Sequence, residues 1–122
     1  MKIGIDIIDI ERMIMSKEKL ARIFTENEME FFQNKNWEIE SIAGLFCAKE
    51  AFFKAIGTGV ILSQLHDIEV RHNQQGAPFF KLSPRLINEH HLSTAKIHLS
   101  ISHAKTVAIA VCIIMQFETS FV

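Results

Sequence analysis

The stretch SIAGLFCAKEAFFKAIGTG, residues 41–59, constrains the fold more than any other part of the chain. Residues 42–56 read as the longest helix, with Ser41 placed to cap it and Gly57 and Gly59 placed to stop it. The helix is apolar nearly all round, so it needs burial on more than one side. At 122 residues the chain is large enough to supply that cover as a single domain, 1–122. The same helix carries Lys49, Glu50 and Lys54 among Phe46, Phe53 and Ala43. Glu50 and Lys54 are four apart and share a face.

The cover is legible on both sides of the helix. Residues 2–10 alternate as a strand, with Ile3, Ile5 and Ile7 on one face and Gly4, Asp6 and Ile8 on the other. The all-isoleucine row is the expected core face, which leaves Asp6 on the second face. Residues 12–22 read as a short amphipathic helix bearing Arg12, Lys17, Lys19 and Arg22. Thr25 with Glu28 three residues on is a capping-box pattern, so a further helix starts at Thr25. HDIEVRH and FFKLS flank a turn at NQQGAP and predict a hairpin. Ser83-Pro84 opens a short helix reaching about His91. KIHLSIS and TVAIAVCII close the chain as strands around an HAK turn. The order β-α-α-α-β-β-α-β-β predicts an α+β fold, a largely antiparallel sheet packed against the long buried helix.

Composition excludes several classes of function. A net charge of −1 does not suit a general nucleic-acid binder. The longest hydrophobic run, residues 107–115, is too short to span a bilayer, and Asp6 and Asp9 interrupt any N-terminal signal. No membrane role is expected, and the cytoplasm is the expected location. Cys47 and Cys112 sit in apolar runs without metal-ligand spacing and read as reduced core thiols. His66, His72, His90, His91 and His98 match no zinc pattern and read as surface or structural residues. GTG is too short for a phosphate loop and reads as a helix stop.

Two acids on otherwise apolar elements, Asp6 and Glu50, suit a hard cation such as Mg²⁺, which takes one or two protein carboxylates and shares substrate phosphates. In HLSISHAK, His98, Ser100 and Ser102 face one way and Leu99 and Ile101 the other, with His103 at the strand end. His103 is either a turn histidine or a donor to an anionic ligand.

These segments together resemble the holo-[acyl-carrier-protein] synthases, the small trimeric class of 4′-phosphopantetheinyl transferases. IGIDIIDIERM resembles the opening segment of that family, and IFTENEMEFF its helix start. FCAKEAFFKAIGTG is similar to its FAAKEAxxKAxGTG signature, and LSISHAKTVAIAVCI to its SxSH hairpin. The resemblance implies transfer of 4′-phosphopantetheine from coenzyme A to a serine of apo-acyl carrier protein, for fatty acid biosynthesis. It implies Mg²⁺ on Asp6 and Glu50, Lys54 beside the phosphates or steadying Glu50, and His103 on a coenzyme A phosphate. Arg12 would contribute to docking of the acidic carrier protein. The general base stays open between Glu50 and a water activated by the ion. The resemblance further implies a homotrimer with active sites at subunit interfaces. Two positions depart from the pattern: Leu45 stands where the family often has Arg, and Ala104 where it often has Thr or Asp. A carrier-binding module without activity and a metal-dependent phosphohydrolase are the competing readings.

Overall fold

The long helix is built as its sequence asks, and the rest of the fold is arranged around it. The computed structural model describes residues 1–116. Helix α3 spans Ile39–Ile56 and follows strand β1 (Lys2–Asp9), a 3₁₀ turn at Ile10–Met13, α1 (Lys17–Ile23) and α2 (Glu26–Asn34). After it come a 3₁₀ segment at Leu62–Asp67, β2 (Ile68–His72), β3 (Pro78–Leu82), α4 (Pro84–Glu89), β4 (Lys96–His103) and β5 (Val107–Met115). Gly57 ends α3 in the left-handed region, φ 86°, and its N–H donates to Phe53 O and Lys54 O. The start of α3 lies earlier than Ser41. The chain reverses through left-handed Asn36 and Trp37, φ 55° and 57°, and turns helical at once. Ser41 then lies inside the first turn, where its hydroxyl donates to Glu38 Oε2 at 3.2 Å.

The strands form two antiparallel sheets, β1-β5-β4 and the hairpin β2-β3. Helix α3 lies across β1 and β5 and also touches β2 and β4. The face of β1 that meets α3 is Gly4, Asp6 and Ile8, the opposite of the expected assignment. Ile3, Ile5 and Ile7 are 61%, 54% and 61% exposed. The reason is distance. A Cβ added to Gly4 would lie 1.9 Å from Ala51 O and 2.6 Å from Ala55 N, so only a row containing glycine can approach the helix this closely. Asp6 and Ile8 follow Gly4 inward because the strand period is two.

The capping signals at Thr25 and Ser83 act as read. Thr25 Oγ1 accepts from Glu28 N at 3.2 Å, and Glu28 Oε1 accepts from Thr25 N at 2.9 Å. Ser83 Oγ accepts from Leu86 N at 3.1 Å, although α4 ends at Glu89 rather than near His91. The expected helix over residues 12–22 is divided. Residues 14–16 are non-helical, and Ser16 caps the second piece by accepting from Lys19 N at 3.2 Å. That competing side-chain bond favours a fresh start over continuation. In the hairpin turn, Asn73 Oδ1 accepts from Gln75 N and Ala77 N, and Gly76 has φ 85°.

One feature of the core was not legible in advance. Lys49 and Glu28 have fully buried side chains, with Nζ 2.6 Å from Oε1. Lys49 also donates to Ile23 O at 3.0 Å and Leu65 O at 2.8 Å, while Glu28 Oε2 accepts from Val70 N at 2.8 Å. All three ammonium protons are thereby used. Burial pushes the Glu28 carboxyl up and the Lys49 ammonium down, and their mutual attraction opposes both shifts. The pair joins α1, α2, α3 and β2 on the side of the helix away from β1. No helix among the described residues is long and apolar enough to cross a membrane.

Candidate active site

Asp6 lies in the inward row of β1, and Glu50 and Lys54 lie one turn apart on α3. The close approach at Gly4 therefore brings these three side chains together. Asp6 is 6% exposed. Its Oδ1 accepts from Lys54 Nζ at 3.0 Å. Its Oδ2 is buried without a hydrogen-bond partner. Leaving a carboxylate oxygen in that state is costly unless a positive group meets it. Glu50 is half-buried, and its carboxyl is pushed up to about 7 by burial and then by the Asp6 carboxylate, against the opposing charges of Arg12 and Lys54.

The Lys54 ammonium reaches across to Asp6 rather than along the helix to Glu50. Half of the Lys54 side chain stays in solvent, so it can also serve a bound anion. Arg12, in the 3₁₀ turn after β1, is exposed, and its charge acts on Glu50. Beyond it, Lys17, Lys19 and Arg22 project from α1, where Arg22 pairs with Glu18 at 3.5 Å and Lys17 Nζ lies 4.4 Å from the Trp37 ring centroid.

Asp6 and Glu50 form the candidate metal pair. Among the described residues no group of three or more His, Cys, Asp and Glu side chains could hold an ion. Two hard oxygen donors, one of them without a partner, fit an ion that keeps its remaining positions for water and substrate phosphate. Cys47 lies beneath the pair. Burial and Asp6 push its thiol up to about 12, and it donates to Ala108 O at 3.4 Å. It is an inert core group, as is the free, buried Cys112.

His103 is not beside these acids. Across the sheet its row runs His103–Ala108–Ile8, which sets it two strands from β1. It lines a separate cavity of about 170 Å³ together with Leu45 and His72. His98, Ser100 and Ser102 do face outward, while Ile97, Leu99 and Ile101 are partly buried. Ala104 N donates to Val107 O at 2.9 Å in the turn that follows. His72, read from sequence as a surface or structural residue, also lines the cavity. Only its folded position sets it apart from the other scattered histidines.

Comparisons with known proteins identify the family of the chain. The model of the family described as ACPS, 4′-phosphopantetheinyl transferase superfamily, matches residues 2–112. The holo-[acyl-carrier-protein] synthase of Oceanobacillus iheyensis is 46% identical over 114 residues, covering 88% of this chain and 90% of that protein. The Clostridium tetani enzyme of the same name is 44% identical and covers 92% and 93%. A holo-(acyl-carrier-protein) synthase from Bacillus anthracis, solved in complex with CoA (3′,5′-ADP), superimposes with a TM-score of 0.75 at 38% identity, covering 93% and 94%. The Asp6–Glu50 pair thus sits in a chain that belongs to the 4′-phosphopantetheinyl transferase superfamily, among its holo-[acyl-carrier-protein] synthases.

Proposed function

We propose that this chain transfers 4′-phosphopantetheine from coenzyme A to a serine of apo-acyl carrier protein, releasing adenosine 3′,5′-bisphosphate, with Mg²⁺ as cofactor. The reaction supplies holo-carrier protein for fatty acid biosynthesis in the cytoplasm. The observation that carries the reading is the buried, unpartnered Asp6 Oδ2 beside Glu50. The serine oxygen forms a bond to the pantetheine-side phosphorus, and the bond from that phosphorus to the bridging oxygen breaks. The serine proton is released, and the bridging oxygen leaves on the bisphosphate. Asp6 and Glu50 would hold the ion, which supplies charge neutralisation to the pyrophosphate oxygens. Lys54, held by Asp6 Oδ1 yet half in solvent, adds a second positive group on the same side. Arg12 lies at the edge of this site, where the carrier protein would dock. Little covalent work remains for the protein once both substrates are aligned.

The active assembly in this reading is a homotrimer with its sites at subunit interfaces. The outer face of the β1-β5-β4 sheet supports it. There Ile3, Ile5 and Ile7 stand opposite Ile113, Val111 and Ile109, an apolar face uncovered in the single chain. The separation of His103 from Asp6 and Glu50 fits a site completed by a second copy, with His103 of one copy reaching the coenzyme A held at the acids of another. Size-exclusion chromatography with light scattering tests the trimer, and a monomer at micromolar concentration would refute it.

Mass spectrometry of apo-carrier protein incubated with the protein, coenzyme A and Mg²⁺ tests the activity. The expected result is a gain of one phosphopantetheine group that chelator abolishes. No mass change would favour a binding module, which the loss of a cation at Leu45 would suit. Free phosphopantetheine formed without carrier protein would favour a hydrolase.

A further inference from the structure

Helix α1 is seven residues long and buries one side chain, Leu20. A helix this short does not hold its shape in water by itself. Ser16 caps its first turn, and Phe24 N closes the last by donating to Leu20 O at 2.8 Å. Two basic side chains from other elements take carbonyls near its C-terminal end, groups that the helix itself leaves unpaired. Lys49 of α3 donates to Ile23 O at 3.0 Å from within the core. His66 of the 3₁₀ segment Leu62–Asp67 meets Ala21 O with its Nε2 at 2.9 Å, on the surface. A carbonyl only accepts, so this nitrogen carries a proton in either charge state of the ring.

The segment that carries His66 is itself braced. Arg85 of α4 donates to Ser63 O at 3.1 Å and pairs with Asp67, and Ser83 N donates to Asp67 O at 2.8 Å. Gln64 Nε2 donates to Glu89 Oε2 at 2.7 Å, and Gln64 Oε1 lies 3.0 Å from His90 Nε2. His66 is therefore the outer link between a fixed segment and a weakly rooted helix.

What the helix carries gives that link its consequence. Lys17, Lys19 and Arg22 are exposed on α1, and only residues 14–16 separate the helix from the turn that bears Arg12. Helix α1 thus continues outward the basic edge of the candidate site. We propose that His66 is a positioning residue for carrier-protein docking: its bond to Ala21 O holds α1, and with it Lys17, Lys19 and Arg22, in place for the acidic partner. The inference rests on the transferase reading and deepens it. Without His66, Leu20 and Lys49 still attach the helix from inside, but its outer restraint is gone. Charges that must be ordered at the moment of docking bind less well than charges already held in register. The bond lies on α1 and not on the acid pair, so the loss falls on one substrate.

Amide hydrogen exchange over residues 17–24 and steady-state transfer kinetics decide the matter, on wild type, His66→Phe and His66→Gln. Phenylalanine keeps a ring and removes the donor, whereas glutamine returns an N–H at similar reach. For His66→Phe we expect exchange in α1 to quicken and the KM for apo-acyl carrier protein to rise, each by about three- to tenfold, the size of one hydrogen bond. The kcat and the KM for coenzyme A should be nearly unchanged. His66→Gln should return both readings to near wild type. Quickened exchange with an unchanged KM for carrier protein would make His66 a structural cap alone and overturn the docking role. Unchanged exchange in His66→Phe would overturn it too, as would losses in kcat and both KM values that His66→Gln does not relieve. A wild type that fails to modify the carrier protein would overturn the transferase reading itself, and the exchange measurement, made without substrate, keeps the two failures apart.

Discussion

Replacing Gly4 by alanine tests the contact from which the site is built. The added Cβ would lie 1.9 Å from Ala51 O, whereas ordinary contact begins at 3.4 Å. Strand and helix must therefore part by roughly 1.5 Å, and a radial gap of 1 Å already forfeits up to half of each dispersion contact along the seam. Both opposing atoms, Ala51 O and Ala55 N, are backbone, so no side chain can turn away. Overpacking costs about 1–3 kcal/mol where side chains can adjust, so this variant should lose about 3 kcal/mol or fail to fold. Gly76→Ala is the control. Its Cβ meets nothing within 4 Å, and only its φ of 85° opposes the substitution, at a cost of about 1–2 kcal/mol. Urea unfolding monitored by circular dichroism measures both. Transfer activity of any folded Gly4→Ala protein should also fall, because Asp6 moves with the strand. A Gly4→Ala protein that unfolds within about 0.5 kcal/mol of wild type would refute the reasoning.

The other predictions concern buried charge. Glu28→Gln or Lys49→Met alone leaves one fully buried charge unpaired and should cost about 3–5 kcal/mol. The double variant should cost less than the sum of the singles, and additive losses would deny the coupling. In chelator, stability should decline as pH rises from about 4.5 to about 7, since Glu50 in the folded protein keeps its proton to about 7 while the unfolded chain releases it near 4.5. Glu50→Gln should remove that part of the slope in urea midpoints measured across the range, and an identical profile would contradict the burial of Glu50 beside Asp6.

Much of the fold can be read from single residues whose physics is local. The Thr25–Glu28 capping box, the Ser83-Pro84 helix start and the Gly57 stop each depend on a few neighbouring atoms, and each forms. What fails depends on partners distant in sequence. The rule that isoleucines face the core misplaces β1, because closeness to Ala51 and Ala55 selects the glycine row instead. In the proposed trimer the exposed isoleucines would meet a second copy of the chain. Lys49 looks like a surface residue until Glu28, Ile23 O and Leu65 O are seen to surround it. The acids of the site, Asp6 and Glu50, were identifiable as charges on apolar elements, and the fold brings them together. Their partners were not identifiable: Lys54 chooses Asp6 over its helical neighbour, and His72 joins His103 only through the hairpin.

The central claim is that Asp6 and Glu50 jointly hold one divalent ion. Binding of Mn²⁺ followed by electron paramagnetic resonance, with coenzyme A present, tests it on wild type, Asp6→Asn and Glu50→Gln. The account predicts one tightly bound ion per chain in wild type, with each substitution weakening it by about tenfold or more while the fold survives. Wild-type Mn²⁺ affinity in either variant would contradict the account.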